Sequence, residues 1–416
     1  MSNGNMGKKT VAVMFGGRST EHEISIITAL QVIEAMDVVK YRPIPVYIAP
    51  SGKWYTGDAL LKRDFYKSMP GTLSDAQEVT LLPSPGVGGL TVLGSKAAKK
   101  AGGFSLFGGG SKKEDAEEII PVDIWFPSFH GSFGEDGCIQ GLLELADVTY
   151  TGSDLLSSAI SMSKYHCKKF LESHGIPVLP SVLLSRDSMG ASADLTALRD
   201  KVLSTPGFDK FPLFIKPANL GSSIGIAKAT DNATLDSAML QAFKYDHQIL
   251  VEPCLDNKLE INVSIMDDVE PKTSVVEIPV SEAGEELTYE DKYIRSGGKK
   301  GGQIATGMAG LSRVIDPSDL NENIKNGAQE HAKNAFKLLG CGGVARIDFM
   351  LDLNTNNLYF NEINPLPGSL AYYLWSNSKP AVLFTDLIST MIERAIYNKQ
   401  KKAVLVREIG FHALLK

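Results

Sequence analysis

Residues 344–368 read VARIDFMLDLNTNNLYFNEINPLPG, and apolar residues alternate with polar ones on both sides of an Asn-rich turn at 354–357. Period-two alternation around such a turn predicts a β-hairpin. With the turn centred on Thr355, Asp348 lies opposite Glu362 and Arg346 lies opposite Asn364. The four side chains then project from the same face, with neighbouring pairs close enough to share a ligand.

Two carboxylates and a carboxamide oxygen on one face form an all-oxygen donor set, which suits Mg²⁺ with phosphate oxygens completing its shell. Arg346, beside that set, would serve a developing negative charge. The alternative is a surface hairpin that carries a solvated ion pair. We favour a functional site because Asp348 and Glu362 interrupt otherwise apolar strands.

Composition narrows the class of protein. A chain of 416 residues predicts two or three domains, and 43% hydrophobic with 22% charged residues is ordinary for a globular protein. A net charge of −6 without a long basic run argues against a nucleic-acid partner. The four cysteines show no metal-ligand spacing, which favours free thiols in a reducing compartment.

The expected location is the cytoplasm. The start of the chain, MSNGNMGKK, leads into a strand and carries no apolar signal segment. No run reaches the roughly 18 apolar residues that a bilayer span needs. We therefore expect no membrane partner.

The first third alternates strands and helices and predicts an α/β domain over 1–155. Strands are expected at 8–15, 44–49 and 122–129, and helices at 24–39 and 137–148. Residues 84–118 break the pattern, with nine glycines between Gly86 and Gly110. Such a composition predicts an insertion loop that packs loosely.

Two further units are predicted, over 156–247 and 248–416. The middle unit begins with a helix at 161–174 and contains the strand FPLFIKP, which places Lys216 near its carboxyl end. The last unit begins with the strand QILVEPCL at 248–255 and contains a helix at 318–339 and the hairpin. The long glycine-rich and charged segment 281–310 is interpreted as a mobile lid over a site.

A phosphate site is indicated shortly after Lys216. In Gly221-Ser222-Ser223-Ile224-Gly225, small residues allow backbone N–H groups to approach an anion, and the hydroxyls add donors. The run is neither a Walker A motif nor a G-x-G-x-x-G fingerprint. A plain Gly/Ser hairpin is the alternative at this point.

These motifs, in order, resemble the ATP-grasp superfamily and more closely the D-alanine–D-alanine ligases. The resemblance implies an α/β fold with an α+β C-terminal half, in which an N-terminal Rossmann-like parallel-sheet domain precedes a two-part ATP-grasp fold. It also implies that ATP activates one D-alanine as an acyl phosphate. The matching segments are FGGRSTEHEIS (15–25), HGSFGEDGCIQGLLE (130–144), TGSDLLSSAISMSK (151–164), FIKPANLGSSIG (214–225), YEDKY (289–293), ARIDFML (345–351) and NEINPLPG (361–368).

The resemblance implies roles for individual residues on the amino-acid side of the site. Glu21 matches the carboxylate that holds the ammonium group of the first amino acid. Ser222 and Tyr293 match its hydrogen-bonded partners, which orient that group and fix the lid. His130 matches a histidine near the transferred phosphoryl group.

The nucleotide side follows from the same resemblance. Lys164, Lys216 and Lys292 match phosphate-binding lysines, and Ser223 belongs to the Gly/Ser loop. Glu252 and Glu260 match residues at the adenine and the ribose. Glu252 ends an apolar run, where it could accept a hydrogen bond from the adenine N6 amino group or from the ribose hydroxyls.

The resemblance also implies an oxyanion hole and a metal centre. Arg346 and the backbone N–H of Gly368 match the oxyanion hole, in which one donor is typically worth ~10²–10³ in rate. Asp348, Glu362 and Asn364 match the ligands of two Mg²⁺ (or Mn²⁺) ions. Relatives further imply a homodimer formed through the N-terminal domain.

The chain departs from the family pattern after Gly368. Ser369-Leu370-Ala371-Tyr372-Tyr373 places Tyr373 where the usual ligases carry a small hydroxyl residue that binds the carboxylate of the second substrate. Pro253 also replaces a lysine common beside the adenine glutamate. The acceptor therefore stays open: D-alanine is the first expectation, with D-serine, D-lactate or another amino acid as alternatives. A nucleotide-binding regulatory protein is disfavoured because no metal ligand or oxyanion arginine is missing.

Overall fold

The computed structural model describes residues 7–69, 73–94, 118–189, 195–221, 223–280 and 313–406. Within these ranges the strands form sheets of seven, four and five members. No helix in them is long and apolar enough to cross a membrane. The strands are β1 (Lys9–Gly16), β2 (Tyr41–Ile48), β3 (Trp54–Thr56), β4 (Gln77–Thr80), β5 (Gly89–Val92), β6 (Ile119–Pro121), β7 (Ile124–Pro127), β8 (Val182–Ser185), β9 (Leu213–Pro217), β10 (Ala227–Ala229), β11 (Gln248–Pro253), β12 (Lys258–Met266), β13 (Lys272–Pro279), β14 (Arg313–Ile315), β15 (Val344–Asp352) and β16 (Asn357–Asn364). The α-helices are α1 (His22–Ala35), α2 (Arg63–Lys67), α3 (Cys138–Leu145), α4 (Leu155–Met162), α5 (Lys164–Ser173), α6 (Thr196–Ser204), α7 (Asn232–Ala242), α8 (Glu322–Leu339), α9 (Tyr372–Ser376) and α10 (Phe384–Ala403).

The N-terminal sheet has the order β6-β5-β4-β3-β2-β1-β7. Its parallel part is confined to β2, β1 and β7, and the other neighbours pair antiparallel. Strand β1 is apolar and buried from Val11 to Phe15, as expected where both faces of a strand are covered. Val11, Val13 and Phe15 join the core that contains residues of α1, whereas Ala12 and Met14 join the core on the opposite face.

The predicted insertion over 84–118 is wrong at its N-terminal end. Residues 89–92 form β5, which lies between β4 and β6 in the antiparallel part of the sheet. Leu90 is fully buried and Val92 nearly so. This strand could not be recognised from the sequence, because it has only two large apolar residues and lies in a glycine-rich segment. Residues 95–117 lie outside the described part of the chain.

The four-stranded sheet has the order β10-β9-β11-β8 and lies against α6 and α7. The strand predicted to open the third unit, β11, pairs with β8 and β9 and so belongs to this sheet. We therefore propose Pro253, rather than residue 247, as the end of the middle unit. The helix predicted at 161–174 is interrupted at Ser163 (φ −86°, ψ 100°), which separates α4 from α5 and places Lys164 in the first turn of α5.

The five-stranded sheet has the order β14-β13-β12-β15-β16, with α8 packed on one face. Beyond the hairpin the chain returns to the N-terminal domain. Apolar residues of α10, including Leu387 and Ile392, join the core formed by β1 and α1. The first and last parts of the chain therefore share one hydrophobic core, which fixes the N-terminal domain over the C-terminal sheet.

Strand β5 predicts a clear difference between two neighbouring leucines. Leu90→Ala removes a fully buried side chain, so we expect the free energy of unfolding to fall by about 2–5 kcal/mol. Leu93→Ala, at a side chain 39% exposed, is the matched control and should cost less than about 1 kcal/mol. Urea denaturation measures both. Equally small losses would show that residues 89–92 do not pack and would restore the loop interpretation.

Candidate active site

The hairpin register depends on a β-bulge. Arg346 pairs with Asn364 and Asp348 with Glu362, as predicted, but Phe349 pairs with Phe360. The strands meet at Asp352 and Asn357, so the turn is centred half a residue earlier than expected, and Asn361 is the extra residue that restores the pairing. Bulges place an additional side chain beside functional sites. Here Asn361 and Glu362 both reach the same cleft.

Arg346 and Asp348 form a bidentate ion pair on that face. The Arg346 Nε and Nη2 donate to the two Asp348 carboxylate oxygens, each at 2.7 Å. The Asn364 amide donates to Asp348 Oδ2 at 3.2 Å. Burial acts to lower the pKa of Arg346, but the charge of Asp348 and its hydrogen bonds raise that pKa well above its usual value. The arginine is therefore held as a cation.

A lysine from α5 reaches the same row of carboxylates. Lys164 Nζ lies 3.0 Å from Glu362 Oε2 and donates to the Leu220 carbonyl at 2.7 Å. The ammonium group thereby connects the hairpin to the segment just before Gly221. This is the position at which the sequence predicts a phosphate-binding loop.

Glu252 has a different environment from the one expected. Its two carboxylate oxygens pair with Lys168 and with Lys216, the latter at 2.7 Å, and Lys216 also donates to the Asn361 carboxamide at 3.2 Å. Burial alone would raise the pKa of Glu252, but the two lysines lower it to about 2. In this arrangement Glu252 positions Lys216 in the cleft. Lys168, a fully buried cation, was not singled out from the sequence.

One cleft between the four-stranded and five-stranded sheets collects most of the nucleotide-side residues. The predicted residues that line it are Lys164, Lys216, Ser223, Glu252, Glu260, Arg346, Asp348 and Glu362. Ser223 has a positive φ of 57°, which turns the chain after the glycine at 221. Ser222, Lys292 and Tyr293 and the predicted lid 281–310 lie outside the described residues.

The hairpin offers oxygen donors that fit a hard divalent cation. Asp348, Glu362 and the Asn364 carboxamide share one face, although Arg346 and Lys164 engage the two carboxylates. Among the described residues, no group of three or more His, Cys, Asp or Glu side chains could hold a metal alone. The set fits Mg²⁺ of the kind that takes one or two carboxylates and completes its shell with phosphate oxygens and water.

Glu21 lies against the Gly/Ser loop from the N-terminal side. A Cβ added at Gly131 would come 2.6 Å from Glu21 Oε2, and one added at Gly221 would come 3.4 Å from it. Gly131 also has a φ of +74°, so the turn after His130 requires glycine for both reasons. The carboxylate is thus placed next to the residue that precedes Ser222.

His130 is buried and hydrogen-bonded between two domains. Its Nε2 lies 2.8 Å from Thr28 Oγ1, which in turn accepts from the Ser369 backbone N–H at 3.1 Å. Burial lowers the pKa of His130 to about 4, with the nearby Arg346 charge acting in the same direction. A neutral ring that donates to the Leu366 backbone can accept from Thr28. His130 therefore meets the segment around Gly368 as a neutral imidazole.

Sequence reasoning missed Glu135, which lies within the quoted motif 130–144. Its carboxylate accepts from the Gly131 N–H at 2.6 Å and from the Leu366 N–H at 3.3 Å. Burial, with the charge of Glu21, raises the pKa of Glu135 to about 8. The residue links the Glu21–Gly131 turn to the segment that follows Asn364. A carboxyl in a Gly-Glu-Asp-Gly turn was its only signal in the sequence.

Tyr373, predicted for the second-substrate pocket, lies beside the cleft. Its side chain is buried outside the residues that line the cleft, and its hydroxyl donates to Glu277 Oε1 at 3.0 Å. Burial, together with the Glu277 charge, raises the pKa of Tyr373. Before it, Ser369, Leu370 and Ala371 all have φ values near 50°. Such left-handed backbone costs L-residues energy and is retained where packing imposes it, often at functional sites.

Comparisons with known proteins identify the family of the chain. The family models described as "D-ala D-ala ligase N-terminus" and "D-ala D-ala ligase C-terminus" match residues 10–153 and 170–393. The D-alanine–D-alanine ligase of Chloroherpeton thalassium is 34% identical over 404 residues, covering 95% of this chain and 99% of the relative.

Two solved structures are similar over nearly the whole fold. The D-alanine-D-alanine ligase of Coxiella burnetii has a TM-score of 0.73 at 27% identity and covers 96% of this chain and 97% of its own. The VanG D-Ala:D-Ser ligase of Enterococcus faecalis has a TM-score of 0.72 at 27% identity, covering 93% and 99%. The predicted α/β class with an ATP-grasp half is confirmed. The chain belongs to the D-alanine–D-alanine ligase family.

Proposed function

We propose that this chain is an ATP-dependent D-alanine–D-alanine ligase that supplies a dipeptide for peptidoglycan synthesis. ATP phosphorylates the carboxylate of one D-alanine, and the amine of a second D-alanine displaces phosphate from the acyl phosphate. The observation that carries the proposal is the cleft in which Arg346, Asp348 and Glu362 face Lys164 and Lys216. Phosphoryl transfer depends mainly on positioning and charge neutralisation, which these residues supply.

The nucleotide is proposed to lie along this cleft. Lys164 and Lys216 would bind its phosphates. Ser223 and Lys292, of which the latter is not among the described residues, would add hydrogen-bond donors. Glu260 would contact the ribose. Glu252 would contact the adenine, and its ion pair with Lys216 would also position that lysine.

The amino-acid side would use the N-terminal domain. Glu21 is proposed to hold the ammonium group of the first D-alanine, with Ser222 and Tyr293 as its partners. His130 is neutral at physiological pH, so it can donate or accept a hydrogen bond without adding charge. Arg346 and the Gly368 N–H would stabilise the oxyanion that forms when the acyl phosphate is attacked.

Asp348, Glu362 and Asn364 are proposed to hold two Mg²⁺ or Mn²⁺ ions with the nucleotide phosphates. Bound there, the ions would neutralise charge on the transferred phosphoryl group. For them to bind, the carboxylates must exchange contacts with Arg346 and Lys164 for contacts with the metals. The exchange would leave the arginine near the reacting phosphoryl group.

A different acceptor is the second candidate, since one similar structure is described as a D-Ala:D-Ser ligase. The curated relatives are named D-alanine–D-alanine ligases, which favours D-alanine. A homodimer through the N-terminal domain, a cytoplasmic location and small-molecule partners without nucleic acid belong to the same proposal.

The proposal predicts the product. Purified protein incubated with ATP, Mg²⁺ and a pool of D-alanine, D-serine, D-lactate and L-amino acids should release phosphate and accumulate D-Ala-D-Ala, identified by mass spectrometry. Omitting ATP should abolish the product. Accumulation of another dipeptide or depsipeptide without D-Ala-D-Ala would reject the main assignment in favour of the second candidate.

The metal proposal predicts the effect of neutralising each ligand. Asp348→Asn and Glu362→Gln each remove an anionic oxygen from a charge-dense site, so turnover should fall at least about a hundredfold and Mn²⁺–nucleotide binding should weaken. Asp352→Asn, at the turn end of the same strand, is the matched control and should retain both. Mn²⁺ binding is measured by electron paramagnetic resonance. Unchanged Mn²⁺ affinity in both site variants would reject the ligand assignment.

A further inference from the structure

A cluster of buried polar residues lies beside the proposed oxyanion arginine. Glu277 is 1% exposed and accepts hydrogen bonds from the Tyr373 hydroxyl at 3.0 Å, the Asn262 amide at 3.2 Å and Arg313 Nη1 at 2.7 Å. Three donors stabilise its negative charge. The hydroxyl group of Tyr373 therefore already donates its hydrogen bond to the buried carboxylate of Glu277.

Arg313 lines the cleft together with Glu277 and Asn262, and it is the cation among these three residues. Its guanidinium carbon lies 3.9 Å from the centre of the Tyr373 ring. One edge of the guanidinium meets Glu277, and one face meets the tyrosine ring. Stacking and an ion pair on one edge fix the orientation of an arginine and leave it suited to planar recognition of a carboxylate.

The sheet register places Arg313 relative to the metal ligands. Glu277, Asn262, Asp348 and Glu362 are partners in one row across β13, β12, β15 and β16. With strands about 4.8 Å apart, Glu277 lies about 10 Å from Asp348 and about 14 Å from Glu362. Arg313 contacts Glu277 and so occupies the end of the row away from Lys164, which contacts Glu362.

This order of residues would place the nucleotide phosphates and the acceptor carboxylate at different ends of the cleft. The phosphates would lie near Asn361 and Glu362, because Lys216 contacts Asn361 and Lys164 contacts Glu362. Arg346 lies on the Asp348 side, to which two hydrogen bonds hold it, and it lines the same cleft as Glu277 and Arg313. An acceptor that attacks beside Arg346 from the side opposite the phosphates would have its carboxylate close to Arg313.

We propose that Arg313 binds the carboxylate of the acceptor, and that Tyr373 and Glu277 are positioning residues that orient its guanidinium. The proposal rests on the proposed ligase function and identifies the acceptor as a small molecule with a carboxylate next to its nucleophile. It also replaces the expectation that the Tyr373 hydroxyl contacts the acceptor directly.

The test compares D-alanine with D-alaninamide as acceptor, because the amide lacks only the negative charge. Arg313→Met should raise the acceptor KM for D-alanine about ten- to a hundredfold, as expected for loss of a charge-assisted hydrogen bond. The KM values for ATP and for the first D-alanine should change little. The preference for D-alanine over D-alaninamide should largely disappear, as quantified by mass spectrometry of the two products.

Three further variants separate binding from structural support. Arg313→Lys keeps the charge and should recover part of the preference for the carboxylate. Tyr373→Phe keeps the stacked ring and loses the hydroxyl, so its acceptor KM should rise by a smaller factor. Lys258→Met removes another cation of the same cleft, one that lies 5.3 Å from the Phe214 ring centre, and should leave the preference unchanged.

Failure of this inference and failure of the proposed function give different results. If D-Ala-D-Ala forms and Arg313→Met keeps the parent preference for D-alanine over the amide, Arg313 does not bind the acceptor and the ligase assignment survives. If another acid is the true acceptor, the same comparison with its amide tests Arg313. Equal losses with the acid and the amide in both Arg313 variants would also overturn the proposal.

Discussion

The antiparallel pairing of β15 with β16, including the bulge at Asn361, is the constraint on which the site depends. Side chains alternate along a strand, so a shift of one residue would turn Glu362 and Asn364 away from Asp348. The bulge absorbs the mismatch between the turn and the site end of the hairpin. It also brings the Asn361 carboxamide to Lys216, which connects the metal-side hairpin to the phosphate-side strand.

The main charged side chains of the cleft are paired with one another. Arg346 is paired with Asp348, Lys164 with Glu362 and Lys216 with Glu252. Isolated charges at such burial would be strongly unfavourable, whereas paired ones are tolerated. A nucleotide with its metals carries both signs, so it can exchange partners with these pairs without leaving a buried charge alone. The cleft is therefore suited to a metal–polyphosphate ligand rather than to an anion by itself.

The sequence was sufficient where local pattern and structure coincide. The alternation around residues 354–357 predicts the hairpin, and the facing of Asp348 and Glu362 is confirmed. The bulge could not be foreseen, because a turn centred on Thr355 and a shifted turn with one extra residue give the same pairing at the site. Short elements could not be predicted either. Strand β5 has too few apolar residues to be recognised among glycines, and no pattern marks the interruption of the predicted helix at Ser163.

Contacts between distant segments set the other limit. Glu135 accepts hydrogen bonds from the backbone N–H groups of Gly131 and Leu366, which are 235 positions apart in the sequence. No pattern in the sequence indicates that these two segments meet. Tyr373 is predicted from the resemblance to stand at a hydroxyl position, whereas its contacts with Glu277 and Arg313, which lie on other strands, could not be predicted. Sheet membership of β11 is likewise decided by its partners β8 and β9.

The central claim is that Asp348 and Glu362 exchange their internal cations for nucleotide-bound metal. Anomalous X-ray scattering from crystals grown with Mn²⁺ and a non-hydrolysable ATP analogue tests it most directly. The account predicts anomalous peaks within bonding distance of oxygens of Asp348 and Glu362, with at least one of the two Arg346–Asp348 hydrogen bonds broken. Manganese found only elsewhere, with both hydrogen bonds of that pair intact, would contradict it.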